Sequence, residues 1–496
     1  MSILKKIQNL IVSPVVDNRY KVVDPFNLHR PLVDLGGGDV WTIGDACEGV
    51  QIFGSTGSGK TSGSGKKLAH SFLEAGFGGL ILTAKKDERE TWEGYCQETG
   101  RELCIFGVGQ PWRFNFLEYE LFRDGLGAGR TDNLVELFFT IIELAVTGKE
   151  TSDPYWHHAG KQLVRNAIEL IKLSSQPLTL KQLYNLIISA PKTQKEVQSL
   201  QEAVDDSSYQ SVFMQCLMGC ELNRPQLSKS QQEDLDLTIS YWLQDFVALA
   251  DKTRSIIING FTALADPFLR GDMRDLFCTD LSIAPEFTHH GGLLLVDLCV
   301  FEYGEVGRYA QVLMKFIWQR ATMRRTGDQG MIPTFLWADE SQFFVNDKDA
   351  KFQSVARSAR ACTVYLTQNL PNYYIQMDNY AGVKGLLGNL KTKIFHNNDD
   401  VETNSWASEL IGKETQTRYS SSTSSPKDRD KEGKQVEINR SMTTSQVVEY
   451  QVRPETFTTL KQGDLVNNNV VSGILFKSGK IWKESGKAYR YVEFNQ

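Results

Sequence analysis

The stretch that decides the fold reads Gly54-Ser55-Thr56-Gly57-Ser58-Gly59-Lys60-Thr61. It matches G-x-x-x-x-G-K-[ST], the phosphate-binding P-loop. The apolar residues 50–53 before it are typical of a buried strand, and residues 67–73 after it carry apolar side chains at helical spacing. A strand that enters a glycine-rich turn and then opens a helix is the context that this motif needs. The sequence therefore predicts a nucleotide-binding site here.

The residues of this loop have separate expected roles. The backbone N–H groups would surround phosphate oxygens, Lys60 would reach the β- and γ-phosphates of ATP, and the Thr61 hydroxyl would ligate Mg²⁺. The candidate nucleotide-binding residues are Gly54, Ser55, Thr56, Gly57, Ser58, Gly59, Lys60, Thr61 and Ser62. The alternative is a chance glycine-rich turn. The following Gly63-Ser64-Gly65-Lys66 is no second motif, because Lys67 stands where Ser or Thr is required.

Composition limits the possible functions. The 496 residues are 41% apolar and 23% charged, as in ordinary globular proteins, and the formal net charge is −6. A nucleic-acid site would therefore have to be a local patch or a ring formed by several subunits. The cysteines form no C-x-x-C pair, and no run of 18 apolar residues occurs. These features predict a cytoplasmic protein with reduced thiols.

The order of patterns along the chain predicts the architecture. Strand patterns at 78–85 and 102–106 enclose a helix pattern at 88–98, which indicates a parallel sheet covered by helices. Residues 118–280 are almost entirely helical in period, and the α/β pattern returns at 292–298. We therefore predict an α/β fold with a mainly parallel sheet, interrupted by an inserted all-α domain.

The predicted domain boundaries follow from these patterns. They are an N-terminal strap and β-rich preamble at 1–45, a first nucleotide-binding part at 46–117, the helical domain at 118–285 and a second nucleotide-binding part at 286–496. The stretch 420–434 is polar, with no large apolar residue, and is predicted to be a mobile loop.

A second motif, which is acidic, is of the kind that accompanies a P-loop in nucleotide-hydrolysing proteins. Residues 331–338 form an apolar strand pattern that ends in Asp339-Glu340. Asp339 would hold Mg²⁺, directly or through water, and Glu340 would polarise the attacking water. The alternative is a strand that merely ends in acidic residues, which is common.

Two further candidates follow this motif. The predicted helix 349–359 carries Arg357, and Arg360 lies just beyond it. The strand pattern 363–367 ends at Gln368, where a side chain could sense the γ-phosphate or orient water, since ligands bind at the carboxyl ends of parallel strands. The alternative is that Gln368 and Asn369 form a polar turn.

Several segments together resemble the type IV secretion coupling proteins, the TraG/TraD-like DNA-transfer ATPases of the FtsK–HerA branch of P-loop motors. The resemblance rests on the P-loop and on residues 82–88, 113–118, 156–173, 339–340, 357, 367–369, 389–412 and 453–457. Only the P-loop is specific by itself, while the order and spacing of the others add to it.

The resemblance implies a RecA-like motor core and a homo-hexamer that uses ATP hydrolysis to drive single- or double-stranded DNA through a channel. It further implies that an arginine of one subunit stabilises γ-phosphate charge in the next, and Arg357 matches that position better than Arg360. The implied catalytic residues are Lys60, Glu340, Arg357 and Gln368. A relaxase and secretion-channel or membrane-anchor proteins are the implied partners.

Two departures from the family pattern leave alternatives open. The chain lacks the usual N-terminal transmembrane hairpin, so membrane attachment would need a partner at the inner face of the membrane. The segment Ser62-Gly63-Ser64-Gly65-Lys66-Lys67 is unusually glycine-rich, and glycine in a helix costs about 1 kcal/mol relative to alanine, so its first turn is expected to be irregular. The alternative functions are a helicase-like DNA-processing ATPase of a mobile element or defence system, and a nucleotide-regulated receptor for secreted proteins.

Overall fold

The computed structural model describes residues 25–145, 154–202, 211–325, 331–423 and 440–496. Their strands are β1 (Pro31–Gly36), β2 (Asp39–Thr42), β3 (Val50–Phe53), β4 (Gly78–Leu82), β5 (Leu103–Gly107), β6 (Leu293–Asp297), β7 (Thr334–Ala338), β8 (Ala361–Thr367), β9 (Thr392–Phe395), β10 (Lys413–Thr423), β11 (Arg440–Tyr450), β12 (Val470–Lys477) and β13 (Tyr489–Asn495).

In the described residues, α-helices alternate with strands up to β5 and again from β6 onward, and the α-helices between β5 and β6 follow one another without a strand. They span Ile43–Cys47, Lys66–Glu74, Asp87–Thr99, Phe116–Phe122, Thr131–Ala145, Pro154–Leu173, Leu180–Ser189, Gln194–Glu202, Val212–Asn223, Lys229–Ser240, Phe246–Ala248, Asp251–Ala265, Gly271–Phe277, Glu286–His289, Val300–Met323, Asp347–Val355, Leu370–Met377, Tyr380–Asn389 and Val401–Ile411.

The chain divides into two compact units. The first comprises residues 1–27 and 72–363, and the second comprises residues 28–71 and 364–496. The second unit therefore contains the P-loop, and the first contains the Asp339-Glu340 motif.

The first unit contains four parallel strands in the order β7-β4-β6-β5. β4 is wholly buried, as expected for a parallel strand covered on both faces. Its glycines permit this packing, since a Cβ on Gly79 would lie 2.2 Å from the Phe335 ring. The ring of Trp92 stacks against Phe335 and meets Trp337 edge to face.

The predicted helical stretch is confirmed between β5 and β6. Its described residues form helices, turns and one isolated β-bridge between Phe114 and Leu281. Side-chain caps start several of the helices: Asn115 accepts a hydrogen bond from Glu118 N, and Ser228 forms a capping box with Gln231. The boundaries predicted for this domain remain predictions.

In the second unit, β3 lies between β8 and β9, and both neighbours run parallel to it. β12 pairs antiparallel with β9, and β13 with β12, so the final strand predicted for the tail is confirmed. β1 and β2 form a separate hairpin, in agreement with the β-rich part of the predicted preamble. The strap predicted at the start of the 1–45 segment falls within residues 1–24, which lie outside the described residues.

The first four residues of the predicted loop at 420–434 form a strand instead. Residues 420–423 belong to β10, which pairs with β11 over eleven residues from Lys413↔Tyr450 to Thr423↔Arg440. The backbone hydrogen bonds of this ladder outweigh the polar composition that suggested a loop. Residues 424–434 lie outside the described residues. Among the helices that the structure describes, none is long and apolar enough to cross a membrane.

Candidate nucleotide-binding site

The P-loop follows the fully buried strand β3 and turns through two glycine-dependent positions. Gly59 has φ +77°, in the left-handed region, and a Cβ there would lie 2.3 Å from Val471. A Cβ on Gly54 would lie 2.3 Å from the Ser58 hydroxyl oxygen. The motif therefore needs glycine at both positions, one for its backbone conformation and both for the lack of space.

The segment after the P-loop has the irregular first turn that its glycines predicted. Residues Lys60–Gly65 form a π-helix before the regular helix Lys66–Glu74. A Cβ on Gly65 would lie 2.9 Å from the Lys60 carbonyl oxygen, so the extra glycine allows this tight turn. Single-turn π-helices of this kind are frequent at functional sites.

The loop residues fit a nucleotide phosphate. The Ser58 hydroxyl oxygen is buried and has no hydrogen-bond partner among the described residues. Lys60 is 7% exposed, Thr61 is half-buried, and Ser62 is exposed and accepts a hydrogen bond from Gln496 Nε2. A buried, unsatisfied hydroxyl beside a glycine cradle is the environment that an anionic ligand would complete.

A histidine that the sequence did not identify supports this turn. His396, at the end of β9, lies 2.7 Å from Ser64 Oγ through Nε2 and 3.0 Å from the Ser472 carbonyl oxygen through Nδ1. Because a carbonyl can only accept, Nδ1 carries the hydrogen and Nε2 accepts from Ser64. Burial lowers the pKa of His396 to about 4, so the ring is neutral at pH 7.

The acidic motif lies in the first unit, directly after the buried strand β7. Asp339 is 5% exposed, and its Oδ1 accepts a hydrogen bond from Glu340 N over 2.9 Å. Glu340 is 3% exposed and has φ +47°, which is unusual for a residue with a side chain. Asp339 presents the carboxylate oxygen chemistry that Mg²⁺ prefers.

Glu340 is paired with a lysine that follows β4 in the chain. Lys85 Nζ lies 2.8 Å from Glu340 Oε1, and Gln342 Nε2 lies 3.0 Å from Glu340 Oε2. Burial opposes the charged form of Lys85, but its hydrogen bond to Glu340 and the charges of Glu340 and Asp339 outweigh it and raise its pKa. Lys85 lies just beyond the carboxyl end of a buried strand, where ligand-binding residues of parallel sheets occur, but no spacing pattern pairs it with Glu340.

A third carboxyl group completes this cluster. Glu88 accepts hydrogen bonds from the backbone N–H groups of Ala84 and Lys85. Burial and the nearby charge of Asp339 raise the pKa of Glu88 well above its ordinary value, against these two hydrogen bonds. The first unit thus brings Lys85, Glu88, Asp339 and Glu340 together.

The two candidate arginines differ in their surroundings. The helix expected at 349–359 ends at Val355, so Arg357 lies in the following turn and is exposed, which corrects its predicted position on a helix. Arg360 is 9% exposed and donates to the carbonyl oxygens of Phe26 and Met331. Arg360 therefore stabilises its own unit, and Arg357 lies at the surface.

Gln368 and Asn369 follow β8 and have distinct structural roles. Asn369 caps the helix Leu370–Met377 by accepting a hydrogen bond from Asn372 N. This is the polar-turn interpretation for Asn369. The Gln368 carbonyl oxygen accepts from Asn398 Nδ2 over 2.8 Å, and the part that its side chain plays stays a prediction.

A protein-family model matches part of the chain. Residues 333–456 match the family model described as the TraM recognition site of TraD and TraG. No curated protein sequence matches the chain.

Solved structures of the plasmid coupling protein TrwB share the fold. The trigonal form with sulphate has a TM-score of 0.60 at 12% identity, covering 99% of this chain and 92% of that one. The complex with a non-hydrolysable ATP analogue has a TM-score of 0.58 at 12% identity with the same coverage. The complex with ADP and Mg²⁺ has a TM-score of 0.58 at 13% identity, covering 99% and 91%.

These matches define the class of the fold, a RecA-like α/β core with a helical insertion, as predicted. The predicted resemblance to the TraG/TraD-like coupling proteins is confirmed.

Proposed function

We propose that the chain is an ATP-driven motor that translocates DNA, as its resemblance to conjugative coupling proteins implies. The observation that carries the proposal is the P-loop, whose left-handed Gly59, crowded Gly54 and unsatisfied Ser58 hydroxyl form a phosphate cradle. Relatives with this fold have been crystallised with nucleotide, TrwB with an ATP analogue and with ADP and Mg²⁺.

The residues divide the proposed chemistry between them. Lys60 and the backbone of residues 54–62 bind the phosphates, and Thr61 and Asp339 hold Mg²⁺. Mg²⁺, when bound, would neutralise charge on the phosphates. Glu340 orients and polarises the attacking water, and Gln368 senses the γ-phosphate. Arg357, exposed in its turn, reaches the site of a neighbouring subunit.

Phosphate release by a P-loop variant tests this proposal. We expect Lys60→Ala to lower ATP hydrolysis by at least about 100-fold, because it removes the cation from the phosphates. Lys66→Ala, in the glycine-rich segment that completes no motif, is the matched control and should hydrolyse ATP like the wild type. Undiminished phosphate release by Lys60→Ala would contradict the assignment.

We propose DNA as the cargo. A net charge of −6 does not oppose this, because a ring would gather a few basic residues from each subunit around one channel. Filter binding across salt concentrations tests direct contact. We expect binding that weakens steeply as salt rises, as phosphate contacts require. Negligible binding at low salt would remove DNA as a direct ligand.

A second candidate function is a nucleotide-regulated receptor for protein substrates. The match of residues 333–456 to a protein-recognition segment favours it, since that segment is described by the partner it recognises. A relaxase, bound together with DNA, would satisfy both candidates. Hydrolysis that ignores DNA but responds to a bound protein substrate would select the receptor over the motor.

A further inference from the structure

The carboxylate proposed to polarise water is held by its own unit on both oxygens. Glu340 Oε1 lies 2.8 Å from Lys85 Nζ, and Oε2 lies 3.0 Å from Gln342 Nε2. The Glu340 side chain is 4% exposed. Both hydrogen bonds draw negative charge from the carboxylate and weaken it as an acceptor of a proton from water.

The backbone that carries Lys85 is fixed by a buried glutamine. Gln311 accepts a hydrogen bond from Thr83 N over 2.7 Å and donates to the carbonyl oxygens of Thr83 and Leu298, each over 2.8 Å. The Thr83 hydroxyl donates to the Val296 carbonyl oxygen. These hydrogen bonds join the carboxyl ends of β4 and β6. They hold the backbone at Thr83, two residues before Lys85.

The Lys85 side chain is far more exposed than the carboxylate that it contacts. Glu88 binds the backbone N–H of Lys85, yet the Lys85 side chain is 41% exposed, ten times the exposed fraction of the carboxylate it contacts. A buried acceptor and a half-exposed donor on a fixed backbone form an ion pair that can open by rotation of the lysine side chain alone.

The Glu340 backbone adds to this restraint. Its φ of +47° and ψ of +46° place a residue with a side chain in the left-handed region, which is unfavourable for residues other than glycine. Such conformations persist where surrounding contacts outweigh their cost. Here those contacts include Asp339 Oδ1 on the Glu340 N–H and the Lys85 ammonium on its carboxylate.

We propose that Lys85 is a positioning residue that restrains Glu340 and limits ATP hydrolysis until their ion pair opens. The inference rests on the proposed function. An ammonium group at hydrogen-bond distance stabilises the negative charge of a carboxylate and reduces its ability to attract the proton of a water molecule. Release of Lys85 would return that ability to Glu340 without a change in how nucleotide binds.

Steady-state kinetics without DNA test the restraint. We expect Lys85→Met to raise kcat about fivefold, the effect of losing a partly exposed ion pair, and to leave KM unchanged. Lys85→Arg keeps a cation and should hydrolyse like the wild type. Lys86→Met is the matched control, since Lys86 is the exposed neighbour and makes no capping hydrogen bond. If the methionine variant does not fold, Lys85→Gln takes its place.

A second measurement is independent of activity. Urea unfolding of Lys85→Met, Glu340→Gln and the double variant forms a double-mutant cycle. We expect non-additive changes in the free energy of unfolding, because the two side chains interact; additive changes would overturn the ion pair.

The kinetic outcomes separate the two proposals. An unchanged or lowered kcat in Lys85→Met, with an active wild type, overturns the restraint alone. No hydrolysis by the wild type or any variant overturns the proposed function and this regulation with it.

Discussion

At the scale of single residues, the helix that follows the P-loop depends on a neutral histidine. Ser64 in the π-helical turn donates to His396 Nε2, while His396 Nδ1 donates to the Ser472 carbonyl oxygen. A protonated ring would have no acceptor for the Ser64 hydroxyl and would place a second positive charge near Lys60. The turn that carries Lys60, for which we propose phosphate binding, should therefore be sensitive to acid.

The pH dependence of stability should show this histidine. Its pKa is about 4 in the folded protein and about 6.5 when unfolded, so only the unfolded chain takes up the proton between these values. The free energy of unfolding should therefore be unaffected by His396 above pH 6.5 and fall by about 3 kcal/mol as the pH drops to 4.

Urea denaturation over a pH series measures this loss. The matched variant His396→Gln keeps a polar side chain that does not titrate, so it should lose about 3 kcal/mol less than the wild type over the same range. Equal losses in both proteins would show that the histidine is protonated in the folded state as readily as in the unfolded one.

Sequence reasoning at this scale succeeded where the signal is local. The P-loop, with Lys60 and Thr61, is written in consecutive residues, and the irregular turn after it follows from its glycines. The ion pair of Lys85 with Glu340 joins residues 255 positions apart, and the contact of His396 with Ser64 spans 332. No spacing pattern encodes such pairs, because the fold alone brings them together.

At the scale of elements, the first unit depends on the close packing of β4 against β7. Gly79 of β4 faces the ring of Phe335 on β7, and the two residues pair directly in the ladder. The same ring stacks against Trp92 from the helix Asp87–Thr99. A strand, its neighbour and the covering helix thus share one core.

A methyl group at Gly79 should disturb this core. The added Cβ of Gly79→Ala would lie 2.2 Å from the Phe335 ring, and overpacking of this kind should lower the free energy of unfolding by about 1–3 kcal/mol. Gly94→Ala is the control in the covering helix, where a Cβ meets nothing within 4 Å, and it should stabilise by up to about 1 kcal/mol.

Chemical denaturation of both variants decides the question. Equal stability of Gly79→Ala and the wild type would mean that β4 and β7 are less tightly packed than the structure shows.

Sequence patterns predicted most of these elements, and they failed where backbone contacts decide the ends. Periodicity placed the helix at 88–98 close to its observed span, Asp87–Thr99. It extended the helix at 349–359 too far, because the helix ends at Val355 and five turn residues follow it. The last of them, Arg360, has a φ of +50°, and β8 begins directly after it. The polar stretch from 420 was expected to be a loop, yet ladder pairing continues through Thr423.

At the scale of the whole molecule, we expect nucleotide sites that neighbouring subunits complete. Arg360 is buried in its own unit, where it donates to the carbonyl oxygens of Phe26 and Met331. Arg357 matches the position of the family's arginine better, and it is exposed, so it is the candidate to act in a neighbour. We expect Arg357→Ala to lower hydrolysis by about 10³-fold, as loss of an arginine finger does.

Mixing of inactive variants tests this sharing. Lys60→Ala supplies an intact Arg357, and Arg357→Ala supplies an intact Lys60, so a mixture of the two should recover part of the wild-type rate. A mixture of Lys60→Ala with Glu340→Gln is the control and should stay inactive, because both residues are proposed to serve the same subunit's nucleotide. No recovery in the first mixture would place Arg357 outside the neighbour's site.

A ring motor that hydrolyses ATP on DNA should respond to DNA in both rate and assembly. The most direct measurement is the ATPase rate with no DNA, with single-stranded DNA and with double-stranded DNA, alongside particle mass in the same solutions. We expect at least one form of DNA to raise the rate and the stimulated sample to contain particles of six chains. A rate indifferent to both forms of DNA, with only monomers present, would contradict it.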